Sequence, residues 1–178
     1  MSANPASPSL FSLRDPLLLR TLCRIGDEWV EAGDGRRFPV HDPATGSVLA
    51  EVADAGAAEA VRAVAAADAA GPAWRSRTAR DRAGVLRRWY TLILEHQEDL
   101  ARLMTAEQGK PLAEARGEVA YGASFVDWFA EEGRRIYGDV VPSHGTDKRI
   151  LVLKQPIGVV AAITPWNFPI AMITRKVA

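Results

Sequence analysis

The stretch GVVAAITPWNFPIAMITRKVA, Gly158 to Ala178, decides how the chain folds. Val159 to Ile163 is apolar without polar alternation, the pattern of a strand covered on both faces in a parallel α/β sheet. Thr164-Pro165-Trp166-Asn167-Phe168-Pro169 follows. Each proline fixes its own φ and pushes the residue before it out of the helical region. Pro169 can also open a helix, where the first turn has no use for its missing N–H. The reading is strand, rigid loop, helix. The loop carries one side-chain amide, Asn167, to the carboxyl end of a buried strand, where open α/β sheets bind ligands.

A chain of 178 residues holds one domain, or one and a small part of another. Apolar residues at 48% and charged residues at 25% exclude fibrous and disordered classes. The zero net charge argues against nucleic acid and against an anionic membrane surface as partners. A single cysteine, Cys23, excludes an internal disulfide and a multi-cysteine metal site. His41, His96 and His144 are too far apart in sequence for a metal-ligand motif, so no metal is expected. Residues 1–13 are rich in Ser and Pro and lack the basic start and apolar core of a secretory signal, which predicts a loose tail over residues 1–15. Gln155 to Thr174 is free of charge for 20 residues, but Pro156, Pro165 and Pro169 would break the helix that a membrane demands. The expected location is the cytoplasm.

Upstream, the pattern predicts a short docking helix at residues 16–23, then strands at Arg24–Val30 and Arg37–Val40 separated by the turn Gly33-Asp34-Gly35. Asp42-Pro43-Ala44-Thr45-Gly46 is a further turn, leading into a strand over Ser47–Ala53. This hairpin carries no chemistry of its own. Ala57–Ala70 reads as an amphipathic helix stopped by Gly71-Pro72. Thr78-Ala79-Arg80-Asp81 resembles a capping box ahead of one or two helices reaching Gly109-Lys110-Pro111. From Pro111 to about Ile136, Leu112, Ala115, Val119, Gly122, Val126 and Phe129 step by three and four. Gly122 and Gly133 each cost such a helix about 1 kcal/mol against alanine, so both are expected to mark close backbone approach. Glu131 and Glu132 diverge by about 100° on a helix, which makes them a solvated face and not an acid–base pair. Gly138–Thr146 reads as a loop. Lys148–Lys154 reads as a strand apolar on both faces that needs a partner outside this sequence. The expected division is residues 16–139, 140–157 and 158–178.

Several segments carry a resemblance. Lys154-Gln155-Pro156-Ile157-Gly158, the Pro-Trp-Asn-Phe-Pro loop and Met172-Ile173-Thr174-Arg175-Lys176 resemble the aldehyde dehydrogenase superfamily. The segment Glu107 to Ala115 and Trp128-Phe129-Ala130-Glu131-Glu132-Gly133 is similar, more narrowly, to succinate-semialdehyde dehydrogenases. The likeness runs from about Leu18 to the last residue. It implies an α/β chain forming the N-terminal part of that fold: hairpin, helices, an oligomerisation strand and a first Rossmann-type βα unit whose sheet is incomplete. It also implies NAD or NADP as cofactor, a small semialdehyde as substrate, and assembly as a homo-oligomer, dimer or tetramer.

By the same resemblance Asn167 donates a hydrogen bond to the oxyanion formed when a thiolate attacks the aldehyde. An amide suits this because it donates without adding a charge that competes for the thiolate. The competing reading is a turn asparagine bonded to its own backbone. Ile163, Thr164, Pro165 and Trp166, with Asn167, fall along the nicotinamide, and Phe168 and Met172 line the aldehyde tunnel. Arg175 falls where these enzymes hold the substrate carboxylate, a task suited to a permanently charged, forked group; the competing reading is a surface arginine. Lys176 reads as a surface charge or a support to the site. Cys23 lacks the surroundings of the family's nucleophile and reads as a buried small hydrophobe. Neither the general-base glutamate motif nor the adenosine-binding segment occurs in these residues. The expectation is therefore the N-terminal third of a succinate-semialdehyde dehydrogenase, inactive by itself. The alternatives are a glutarate-semialdehyde enzyme, or a non-catalytic module pairing through Lys148–Lys154.

Overall fold

The computed structural model describes residues 12–178, and the first eleven residues of the expected tail lie outside the described residues. At Arg14 and Asp15 the backbone is already anchored: both N–H groups donate to the buried carboxylate of Asp99, at 3.0 and 2.9 Å. The expected docking helix shrinks to one 3-10 turn, Pro16–Leu18, opened by Asp15, whose side chain accepts from the Leu17 N–H.

Two small antiparallel ribbons follow. Arg24–Val30 is not one strand but a hairpin of β1 (Cys23–Ile25) and β2 (Glu28–Val30), reversed at Gly26-Asp27. Cys23 within it is half-buried, not buried. β3 (Arg37–His41) pairs with β4 (Val48–Ala53) around the expected Asp42 turn, where Asp42 accepts from the Ala44 N–H at 2.8 Å. Glu59 ties this region to the first helix by accepting from the N–H groups of Gly33 and Gly56.

α1 (Ala57–Ser76) runs through Pro72 instead of stopping there. The helix is exposed at that point, so water can take the carbonyl that proline leaves without a donor. Its two valines face outward, with Val61 69% exposed. Thr78 caps α2 (Ala79–Glu95) as its sequence predicts, accepting from the Asp81 N–H at 3.1 Å. α3 (Gln97–Gln108) is a separate helix, and α4 (Leu112–Glu132) ends four residues before Ile136, which is exposed.

The core lies where α2, α3 and the later α5 (Pro169–Val177) pack on α4. α4 turns small residues inward: Ala115, Ala123 and Ala130 are fully buried, and Val119 and Val126 are the largest side chains completely enclosed. Small residues let helices approach closely. Gly122 marks that approach, because a Cβ there would stand 2.4 Å from Ile170 Cγ2 of α5. Gly133 does not; its nearest neighbour is the Phe129 carbonyl of the helix it terminates.

Two expectations near the C-terminus are corrected. Lys148–Lys154 contains a short strand, β6 (Ile150–Val152), and its partner lies within the chain: β5 (Asp139–Val141), in the segment read as a loop. Val159–Ile163 forms no strand, and Ile163 is 91% exposed. A strand exists only through its ladder, and no neighbouring parallel strand occurs among the described residues. The βα unit is therefore present as an extended approach, a loop and a helix. No helix among the described residues is long and apolar enough to cross a membrane.

Candidate active site

The loop at 164–168 is held from below by the turn between α3 and α4. Gly109 ends α3 in the left-handed conformation, φ 78°, which a side chain would resist. That turn aims two side chains at the loop. Gln108 Nε2 donates to the carbonyls of Trp166 and Asn167, at 3.1 and 3.2 Å. Lys110 Nζ donates to the Asn167 carbonyl at 3.0 Å and lies 4.3 Å from the centre of the Phe168 ring.

α5 begins as the sequence predicts, with Pro169 in its first turn. Phe168, at its N-cap, has no side-chain acceptor for the first free N–H groups. Glu118 of α4 takes that place. Its Oε1 accepts from Ile170 N–H at 3.1 Å and from Ala171 N–H at 3.5 Å, and its Oε2 pairs with Lys110. Glu118 is 4% exposed, so this pairing lies inside the fold.

The predicted residues divide in two. Met172 and Arg175, three residues apart, share one face of α5, and Phe168 precedes that helix at its N-cap. Arg175 folds back along the helix, its Nε donating to the Ala171 carbonyl at 3.2 Å. Its guanidinium lies over Phe125 of α4 at 4.6 Å and meets the Tyr121 hydroxyl at 3.5 Å. Among the described residues no carboxylate pairs with it. Asn167 stands exposed just before the helix, and its side-chain amide joins none of the hydrogen bonds among the described residues. The turn-asparagine geometry is not formed. Ile163, Thr164 and Pro165 leave their backbone groups without hydrogen bonds among the described residues, and Trp166 is 78% exposed. Lys176 is a surface charge bonded to the Met172 carbonyl of its own helix. Cys23 sits on β1, which packs on α1.

Three residues at the site had no assigned task in the sequence: Gln108, Lys110 and Glu118. Gln108 and Lys110 fall inside the Glu107–Ala115 segment whose likeness was noted without a role. Glu118 gives a physical signal, a carboxylate three residues after Ala115 and four before Gly122, on the stripe that faces the core.

With the loop, the helix and their supports in place, comparison with known proteins supplies the family. Residues 29–178 match the aldehyde dehydrogenase family. The chain belongs to the aldehyde dehydrogenase family. The chain is 60% identical over 164 residues to a glutarate-semialdehyde dehydrogenase of Pseudomonas putida, covering 92% of the chain and 34% of that protein. It is 59% identical, over the same shares of the two chains, to succinate-semialdehyde dehydrogenase [NADP(+)] of Escherichia coli. The crystal structure of a succinate-semialdehyde dehydrogenase from Burkholderia pseudomallei superposes with a TM-score of 0.91 at 57% identity, over 93% of this chain and 34% of that one. The chain thus spans about a third of the length of the curated relatives it matches.

Proposed function

We propose that this chain supplies the oxyanion donor and the anion-recognising arginine of an NAD(P)-dependent dehydrogenase for a small semialdehyde, with succinate semialdehyde the first choice and glutarate semialdehyde the neighbour. The observation that carries the reading is the state of Arg175. A guanidinium bedded on aromatic rings, with no carboxylate of its own, is poised for an anion brought by a ligand. It lies on the same helix face as Met172 and is folded back toward the N-terminal end of α5. An aldehyde with its carboxylate at Arg175 then presents its carbonyl toward the Asn167 amide.

When a thiolate adds to that carbonyl, the oxygen gains a full negative charge, and the amide N–H meets it. NAD or NADP, when bound, accepts the hydride released from the same carbon. The backbone of Ile163 to Pro165, whose polar groups engage no partner among the described residues, fits a nicotinamide and its carboxamide. The nucleophile and the general base are not among the residues of this site, and Cys23 is on another face. We hold the chain inactive by itself. The exposed apolar side chains of the β5–β6 hairpin, Val140, Leu151 and Leu153, support a second copy as the partner of that ribbon and assembly as a homo-oligomer.

The test uses a chimeric dehydrogenase in which this chain replaces the matching third of the Escherichia coli relative. Arg175→Leu removes a charge-assisted bond worth about 1.5–3 kcal/mol, or about 10- to 150-fold in kcat/KM for succinate semialdehyde. A neutral aldehyde of similar length keeps its rate. Asn167→Ala slows both aldehydes alike, by about 100- to 1,000-fold. Equal losses on both aldehydes with Arg175→Leu would show the arginine to be structural and remove the semialdehyde assignment.

A further inference from the structure

A buried ion pair is weak evidence for stability, because desolvation cancels much of its attraction and two apolar side chains would pack as well. Lys110 and Glu118 form such a pair directly beneath the loop that carries Asn167. What the pair adds is geometric. Together the two side chains engage the Asn167 carbonyl and the N–H groups of Ile170 and Ala171. The cap that α5 lacks locally, because Phe168 stands where Ser, Thr, Asp or Asn would serve, comes instead from α4. The Asn167 carbonyl, through Lys110, and the first turn of α5, through Glu118, are thereby fixed to the same ion pair. With both ends of the Asn167–Ala171 backbone held, the direction of the Asn167 Cα–Cβ bond is held as well.

We infer that Glu118 and Lys110 are positioning residues for the reaction, fixing the Asn167 carbonyl and the start of α5 so that the Asn167 amide is preorganised for the oxyanion. This rests on the oxyanion reading of Asn167 and adds the groups that hold that amide in place. Preorganisation of this kind matters because a misplacement of about 1 Å in a reacting constellation can cost up to about 100-fold in rate.

The experiment has two arms. In the full 178-residue chain, amide hydrogen exchange is followed for Glu118→Ala, Glu118→Gln and Lys110→Met. Loss of the cap should speed exchange at Ile170 and Ala171 by about 2- to 30-fold, while Val119 and Val126 in the core keep their protection. Glu118→Gln, which retains an acceptor for both N–H groups, should show the smaller effect. In the chimeric dehydrogenase, Glu118→Ala and Lys110→Met should lower kcat for neutral and anionic aldehydes alike, with both KM values kept, and Glu118→Gln should recover part of the loss. Unchanged exchange at Ile170 and Ala171 in Glu118→Ala would refute the clasp. Loosening across α2 to α4 would make Glu118 a fold residue and refute the positioning role. If Asn167→Ala abolishes turnover while Glu118→Ala and Lys110→Met leave kcat intact, the oxyanion reading stands and this inference falls.

Discussion

Two glycines on one helix offer a measurement of how closely α5 is seated. Gly117 and Gly122 both lie within α4, so alanine at either should gain the same helix propensity, about 1 kcal/mol. Their surroundings differ. A Cβ at Gly117 would meet nothing within 4 Å, whereas one at Gly122 would meet Ile170 Cγ2 at 2.4 Å and the Ala171 nitrogen and Thr174 Oγ1 at 3.4 Å. The first contact is far inside van der Waals distance and obliges Ile170, or the whole of α5, to move. Overpacking of this kind costs about 1–3 kcal/mol. Gly117→Ala should therefore stabilise by up to about 1 kcal/mol, and Gly122→Ala should range from neutral to about 2 kcal/mol destabilising. The propensity gain cancels in their difference, which isolates the packing cost. Urea unfolding followed by circular dichroism measures both, provided the m-values agree. If the two substitutions shift the midpoint equally and in the same direction, α5 does not rest on Gly122 and the seat described for Asn167 and Arg175 is wrong.

Two further outcomes follow from the charged groups. Glu98 accepts from Arg116 at 2.7 and 3.0 Å and from Arg102 at 3.0 Å, and these bonds, Arg116 first, lower its pKa from 4.5 to about 2. A carboxylate whose folded pKa is depressed contributes fully above its unfolded value and loses that contribution as pH falls. The stability gap between the natural chain and Arg116→Leu should thus stay constant above about pH 5 and close between about 4.5 and 2; a gap equal at pH 6 and pH 2 would refute the ion-pair account. Asp99→Ala should destabilise by about 1–3 kcal/mol, since it orphans two backbone donors, and should speed tryptic cleavage after Arg14. Unchanged cleavage would mean that Asp99 does not anchor that segment.

The elements that were legible share a local cause. Thr78 caps α2 because its hydroxyl and the N–H it serves are three residues apart, and Pro169 opens α5 because its own ring sets φ. The stripe of α4 could be read because Ala115, Val119, Gly122 and Val126 repeat at the helical period, and burial follows that period closely. Elsewhere the deciding term was not local. Gly71-Pro72 has the form of a helix stop, but an exposed carbonyl can turn to water and the helix continues. β5 was hidden because Asp139-Val140-Val141 is too short to announce itself without β6 beside it. Val159–Ile163 has the composition of a buried strand, yet pairing is a property of two segments, and these residues show one.

The site divides along the same line. Asn167, Phe168, Met172 and Arg175 could be named because the loop and helix that hold them are the stretch that carries the resemblance to aldehyde dehydrogenases. The residues that seat them are 50 and more positions away: Gln108, Lys110 and Glu118 reach the loop and α5 across sequence separations of 52 to 59. No spacing rule connects them. What the sequence does show is a contradiction, Glu118 on the apolar face of α4 with no basic residue three or four positions away on that helix. A carboxylate cannot be buried there alone without a large desolvation cost, so its partner has to come from another element. Such breaks in an otherwise consistent pattern concentrate where a protein binds or reacts. The same holds for Arg175, whose bed of Tyr121 and Phe125, one turn apart on α4, places a cation where the fold provides aromatic faces but no counter-charge. Glu118 finds its counter-charge on another element of the fold, whereas Arg175 pairs with no carboxylate among the described residues, and that difference is why the proposed anion site is placed at Arg175 and not at Lys110.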